Sequence, residues 1–103
     1  MRIELLHIED CPNTAKALEQ VEAALAALGH EDIPVHMLHI RSPEDTVGTG
    51  FAGSPTITAD GADIFPDGAP SSDLACRIYR TPGGYAGVPT VEQVMKALTN
   101  HGL

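Results

Sequence analysis

Aromatic residues are scarce in this chain, which has no tryptophan, two phenylalanines and two tyrosines. Hydrophobic residues nevertheless make up 43% of its 103 residues. This length suits one domain, and we expect residues 1–103 to fold around a single core. Because so few aromatic rings are present, that core must be built mainly from aliphatic side chains and alanine.

Basic residues are scarce as well, since six lysines and arginines stand against 14 aspartates and glutamates, a net charge of −8. Sequence-independent binding to nucleic acid requires clustered basic side chains, and so does docking on an anionic membrane. No apolar run approaches the roughly 18 residues of a membrane span, and a strand-like pattern begins at Ile3. We therefore expect no nucleic-acid partner, no membrane association and no signal peptide.

The chain has only two cysteines, Cys11 and Cys76. Without a secretion signal they indicate a reduced, cytoplasmic setting, in which static disulfides are rare. Each thiol is then expected to be free, catalytic or metal-binding rather than part of a structural disulfide.

The hydrophobic pattern of the first half predicts alternating strands and helices. Residues 3–8 are apolar at both parities, as in a strand covered on both faces. Apolar residues at helical spacing predict a helix over residues 12–28, and residues 33–40 predict a second strand, parallel to the first. Residues 42–45 have the composition of a helix start, but the glycines of residues 48–50 leave room for only a short helix.

Two short strands and a last helix are predicted in the second half. Residues 56–59 and 62–65 flank Asp60-Gly61, the signature of a hairpin whose two central residues have positive φ. Thr90 and Gln93 predict the capping box of a helix that ends near Gly102. The order of the elements predicts an α/β fold with a mixed four-stranded sheet and helices on both faces.

Residues 66–89 form a long insertion before the last helix, with proline and glycine at both ends. Loops of this length in a small domain are usually functional or disordered. Its middle contains Leu74, Ile78 and Tyr79, which favour a segment that packs against the domain, with a helical turn as its expected form.

The sequence Cys-Pro-Asn-Thr at residues 11–14 lies at the junction of the first strand and the first helix. The unpaired amides and the dipole of a helix N-terminus stabilise a thiolate, so the pKa of Cys11 should fall. Pro12 suits the first helical turn, whereas the charges of Glu9 and Asp10 oppose thiolate formation. The alternative is that Cys11 is a small buried residue without chemistry.

Cys76 lies in the insertion, next to Arg77 and near Arg80. It is interpreted either as a packing residue or as a partner thiol that reaches Cys11. The two arginines would then lower the pKa of Cys76 or bind an anionic ligand, or they would belong to a solvated face.

The histidines give weaker indications. His36 and His39 are three residues apart on a predicted strand, so they point to opposite faces and are poor partners for one metal ion. His7, near the end of the first strand, either tunes the thiol of Cys11 or is structural. The sequence predicts neither a metal site nor a cofactor.

Two segments together resemble the thioredoxin-like superfamily: residues 11–14 and Gly53-Ser54-Pro55-Thr56 before a short strand. The resemblance implies a thioredoxin-like fold with the insertion before its last helix. It also implies a cis bond between Ser54 and Pro55, in a loop that lies against Cys11 and pairs with an extended substrate. Thr14 replaces the resolving cysteine of dithiol members, so the chain is closer to monothiol members whose hydroxyl hydrogen-bonds the thiolate.

Residues 51–56, 74–79 and 88–90 also resemble small bacterial thioredoxin-like proteins known as alkylmercury lyase-like. Lyases of that kind cleave a carbon–mercury bond with two distant cysteines and an aspartate. Cys11 and Cys76 would supply the two cysteines, but no aspartate is identified by a motif, and the N-terminal domain of those enzymes is missing.

The resulting prediction is a thiol–disulfide oxidoreductase. Cys11 attacks a protein or glutathione disulfide with the help of Thr14; Cys76 or an external thiol resolves the product. Ser54, Pro55 and Arg77 are the predicted substrate-binding residues. The alternatives are a non-enzymatic module that binds a soft metal or a partner through its thiolates, and alkylmercury lyase-like cleavage. The sequence gives no indication of the oligomeric state.

Overall fold

The computed structural model describes residues 1–65 and 68–103. Pro66 and Asp67, which belong to the predicted insertion, lie outside the described residues. The described residues form six strands, two α-helices and one short 3-10 helix (Pro43–Thr46). The strands and α-helices are β1 (Ile3–His7), α1 (Thr14–Ala27), β2 (Val35–His39), β3 (Thr56–Ala59), β4 (Ala62–Asp63), β5 (Tyr79–Thr81), β6 (Gly84–Ala86) and α2 (Val91–Asn100).

Four of the strands form one mixed sheet in the order β2-β1-β3-β4. β1 and β2 are parallel, with Ile3 opposite Val35, because α1 carries the chain back to the start of the sheet. β1 and β3 are antiparallel, with Ile3 opposite Ala59, and β3 and β4 form a hairpin. The predicted mixed four-stranded sheet is therefore confirmed.

Two local predictions at the ends of elements are also confirmed. Asp60 and Gly61 have φ values of 51° and 85°, the positive values that the tight turn between β3 and β4 requires. At the start of α2, the amide of Gln93 donates to the Thr90 hydroxyl at 3.1 Å, and the amide of Thr90 donates to the Gln93 side chain at 2.9 Å. This reciprocal pair is the predicted capping box.

The prediction of helices on both faces of the sheet is wrong. α1 and α2 pack against each other, and both bury their apolar stripes in one cluster with Ile3, Leu5 and Ile57. The opposite face has a smaller core around Leu6 and Phe51. The connection from β2 to β3 contains only the 3-10 helix, because its glycines leave no room for an α-helix.

The insertion forms a hairpin and not the expected helical turn. β5 and β6 are antiparallel, with Tyr79 opposite Ala86. Because strand side chains alternate, Arg77 and Tyr79 point inward and are buried, whereas Ile78 is 69% exposed. Ile78 thus does not pack as predicted. None of the helices in the described ranges is both long and apolar enough to cross a membrane.

Candidate functional site around Cys11

Cys11 lies in the short connection between β1 and α1. Asp10, just before it, has a φ of 57°, which turns the chain sharply after the strand. α1 begins at Thr14 with Asn13 as its N-cap, so Pro12 precedes the helix and does not occupy its first turn as predicted. Cys11 still faces the helix N-terminus, because the backbone groups of Asn13 and Thr14 hydrogen-bond its sulfur.

The polar groups around the sulfur favour the thiolate of Cys11. Partial burial by itself would raise the pKa of this thiol, but the hydroxyls of Ser54 and Thr14 and the amides of Asn13 and Thr14 outweigh it and lower the pKa. The hydroxyl oxygen of Thr14 is buried and has no hydrogen-bond partner among the described residues. It is therefore free to donate to the Cys11 thiolate, and it contributes to the lowered pKa of Cys11.

The loop that contains Pro55 closes the other side of the sulfur. The Ser54–Pro55 bond is cis, and the hydrogen bond from Ser54 to Cys11 places this loop against the cysteine, so both predictions are confirmed. Ser54 is completely buried, and its hydroxyl accepts a hydrogen bond from the Ile8 amide at 3.1 Å. Ser54 thereby links the end of β1 to the sulfur.

Residues 71–79, here called the strap, run beside this loop. The Ser54 amide donates to the Ala75 carbonyl at 2.8 Å, and the Arg77 amide donates to the Ser54 carbonyl at 2.9 Å. Ser54 and Cys76 are therefore parallel partners, and partners on adjacent strands place their side chains on the same side. Both backbone groups of Ser54 are occupied, so the predicted pairing of an extended substrate with this residue is not available in the structure.

Both cysteines are free thiols: Cys11 is partly buried and Cys76 is exposed. Cys76 lines an open cleft of about 370 Å³ together with Ala52, Arg77 and Ile78. The exposure of Cys76 argues against its interpretation as a packing residue. Its approach to Cys11 as a partner thiol stays a prediction, supported by its pairing with Ser54.

Arg77 is not part of a solvated face. It is 7% exposed, and its guanidinium donates to the Asp63 carboxylate at 2.9 Å while lying 4.6 Å from the centre of the Tyr79 ring. Its positive charge is balanced by Asp63, which weakens the expectation that it binds an anionic substrate. The hydroxyl of Tyr79 donates to the Pro55 carbonyl, so the strap is hydrogen-bonded to both Ser54 and Pro55.

Gly87, which follows β6, lies close to the Asn13 side chain of the Cys-Pro-Asn-Thr motif. A β-carbon added at Gly87 would lie 2.2 Å from the side-chain nitrogen of Asn13 and 2.6 Å from its Cγ. A side chain at residue 87 would displace the Asn13 side chain from this position. Asp63 and Gly87 also help to build the site, and sequence reasoning missed them because their partners, Arg77 and Asn13, are distant along the chain.

The charges beside the motif are negative. Glu9 and Asp10 are exposed and form no ion pair among the described residues, whereas Lys16 in the first turn of α1 lies 3.8 Å from Glu19. That these charges oppose the thiolate stays a prediction, because the effects on the pKa of Cys11 come from its burial and from its hydrogen bonds.

His7 and His39 are opposite each other on β1 and β2, and their rings stack with centroids 5.0 Å apart. His39 also accepts a hydrogen bond from Arg41 at 3.3 Å. Within residues 1–65 and 68–103, no group of three or more histidine, cysteine, aspartate or glutamate side chains could hold a metal ion. The ring of His7 has a structural contact, which agrees with the structural interpretation of this residue.

The stacked pair of His7 and His39 predicts how the free energy of unfolding depends on pH. Burial and the nearby His39 lower the pKa of His7, against a smaller opposing effect of the Ile8 backbone. The unfolded chain then binds this proton more readily, so the free energy of unfolding should decrease as the pH falls below about 6.5. His7→Gln should reduce that decrease in urea titrations, whereas His36→Gln, at an exposed position, should not. An equal effect of both substitutions would contradict the assignment.

Comparisons of the chain with protein-family models, with curated proteins and with solved structures find no match. The site must therefore be interpreted from its own geometry.

Proposed function

We propose that this protein is a thiol–disulfide oxidoreductase with a thioredoxin-like fold and Cys11 as its nucleophile. The observation that carries the proposal is the convergence of two hydroxyls and two amides on the Cys11 sulfur. Such groups stabilise a thiolate, which is the reactive form of cysteine in disulfide exchange.

The arrangement of elements supports the thioredoxin-like part of the proposal. A β-α-β unit is followed by an antiparallel hairpin and a last helix, with a cis proline just before β3. The cysteine at the end of β1 and the cis proline lie side by side through Ser54. This juxtaposition is what the resemblance of residues 11–14 and 53–56 implied.

The proposed reaction is a pair of thiol–disulfide exchanges. The Cys11 thiolate attacks one sulfur of a disulfide, which forms a mixed disulfide and releases the other half as a thiolate. The Cys76 thiolate then attacks the Cys11 sulfur, which forms a Cys11–Cys76 disulfide and releases the second half. Two external thiols reduce the protein again and are themselves oxidised to a disulfide. Thr14 and Ser54 stabilise the thiolate of Cys11 whenever it is the attacking or leaving group.

Cys76, the other cysteine of the chain, is the proposed second thiol. It is the parallel partner of Ser54, whose own side chain contacts the Cys11 sulfur. It is also exposed, so a small shift of its side chain meets no packing. Linking the two residues requires Cα atoms within about 7 Å or movement of the strap.

Reaction with 2-hydroxyethyl disulfide tests the proposal. The wild-type protein should release two equivalents of 2-mercaptoethanol and gain a Cys11–Cys76 crosslink in peptide mapping. Cys76→Ser should stop after one equivalent, with a mixed disulfide on Cys11, and Cys11→Ser should react slowly. Equal reaction of Cys11→Ser and Cys76→Ser would refute Cys11 as the nucleophile. A stable mixed disulfide on wild-type Cys11 would show that Cys76 does not resolve it.

A further inference from the structure

The backbone edge nearest the proposed nucleophile is already paired within the chain. Ser54 is the residue of the cis-proline loop whose side chain reaches the Cys11 sulfur. Its amide and its carbonyl are bonded to Ala75 and Arg77 of the strap, at 2.8 and 2.9 Å. An extended peptide that approached Cys11 along this edge would find both groups of Ser54 occupied.

The strap is held by more than these two hydrogen bonds. Its start is fixed by the Ser71 amide, which donates to the Phe51 carbonyl at 2.9 Å. Its end is fixed by the ion pair of Arg77 with Asp63 and by the Tyr79 hydroxyl, which donates to the Pro55 carbonyl. Displacing the strap would break all of these contacts together.

The strap also packs closely on the loop. A β-carbon added at Gly53 would lie 2.9 Å from the β-carbon of Arg77, and Gly53 has a φ of 107°. Glycine at this position therefore lets the two backbones approach as neighbouring strands do. No space remains there for a second chain between loop and strap.

An exposed strand edge binds extended peptides mainly through main-chain hydrogen bonds. We propose that the strap denies this edge to peptides and makes Cys11 selective for small disulfides over extended protein segments. Residues 75–77 occupy the position of the added strand and act as the specificity-determining element. The inference rests on the proposed function, because it names the class of disulfide that Cys11 attacks.

Two neutral disulfides with the same thiopyridine leaving group test the inference on the Cys76→Ser protein. One probe contains 2-mercaptoethanol, and the other contains an extended hexapeptide with a central cysteine. Each rate with Cys11 is divided by the rate of the same probe with N-acetylcysteine amide, which removes intrinsic reactivity. The normalised peptide rate should fall below the small-probe rate, whereas two new backbone hydrogen bonds would favour the peptide about tenfold or more.

Arg77→Met in the same background removes the ion pair that anchors the strap. It should raise the normalised peptide rate relative to the small-probe rate. Arg80→Met, at an exposed arginine just beyond the strap, is the matched control and should change neither rate. If Arg77→Met does not fold, Tyr79→Phe is used instead. It weakens the strap less, because it removes only the hydrogen bond to the Pro55 carbonyl.

Amide hydrogen exchange gives a second measurement that does not depend on reactivity. The amides of Ser54 and Arg77 should be protected in the free protein and stay protected in the mixed disulfide of Cys11 with the peptide. Faster exchange of the Arg77 amide in that adduct, or a normalised peptide rate equal to or above the small-probe rate, would overturn the inference. If neither probe reacts faster with Cys11 than with the reference thiol, the proposed function fails, while exchange in the free protein still tests the strap.

Discussion

Replacing Cys11 with serine is expected to remove most of the fast alkylation of the folded protein at neutral pH, whereas Cys76→Ser should leave most of it. The reason is that four hydrogen-bond donors lower the pKa of Cys11 in the folded state, and alkylating agents react with the thiolate. Iodoacetamide rates measured from pH 5 to 9 for both variants give the comparison. When Cys76→Ser is unfolded in urea, the pH midpoint of the Cys11 alkylation rate should rise, because the hydrogen-bond donors around the sulfur are lost.

Thr14→Val tests how much the Thr14 hydroxyl alone lowers the pKa of Cys11. The substitution keeps the shape of the side chain but removes the hydroxyl, so the midpoint for Cys11 should move to higher pH. Thr99→Val on α2, where the hydroxyl donates to the Met95 carbonyl, is the control and should leave the midpoint in place. A Cys11→Ser protein that alkylates as fast as Cys76→Ser would contradict the assignment of the reactive thiol.

The second large effect is expected for Asp63→Asn, which should lower the free energy of unfolding by about 3–5 kcal/mol. This substitution takes the carboxylate away from a guanidinium whose side chain is only 6% exposed. A buried charge without its counter-ion is costly, since the desolvation of Arg77 is then no longer offset. Small domains are stable by only about 5–15 kcal/mol, so the variant should unfold at a much lower urea concentration.

Asp73→Asn is the matched control for this measurement, because Asp73 is an exposed aspartate at the start of the strap. Its effect should stay within about 0.5 kcal/mol, as is usual for surface positions. If Asp63→Asn proved equally mild, the ion pair would not anchor the strap. The double variant Asp63→Asn with Arg77→Met should lose less than the sum of the two single losses, because the two side chains act as a pair.

The sheet and its turns were predictable because their signals are local. Asp60-Gly61 specifies its turn through backbone conformation, and the Thr90–Gln93 capping box involves residues three positions apart. The placement of Cys11 next to a helix start follows in the same way from the change between strand and helix periodicity. The helix starts two residues later than predicted, at Thr14, with Asn13 as its N-cap.

The cis-proline loop was predictable only through the resemblance of residues 53–56 to a known motif. Composition and spacing do not say which cysteine such a loop will touch. The contact of Ser54 with Cys11 joins residues that are distant along the chain, and it depends on the antiparallel pairing of β1 with β3.

The sequence by itself determined the mixed sheet, its parallel and antiparallel pairs and a lone cysteine at the entrance to α1, because periodicity, turn residues and capping residues act over a few positions. Only the tertiary structure decided that both helices share one face and that Arg77 is buried against Asp63. It also decided that the strap occupies the edge beside Cys11. These features depend on contacts between residues far apart in the chain. Several such contacts compete, and the one that forms buries the most surface and satisfies the most hydrogen bonds, which no local sequence pattern specifies.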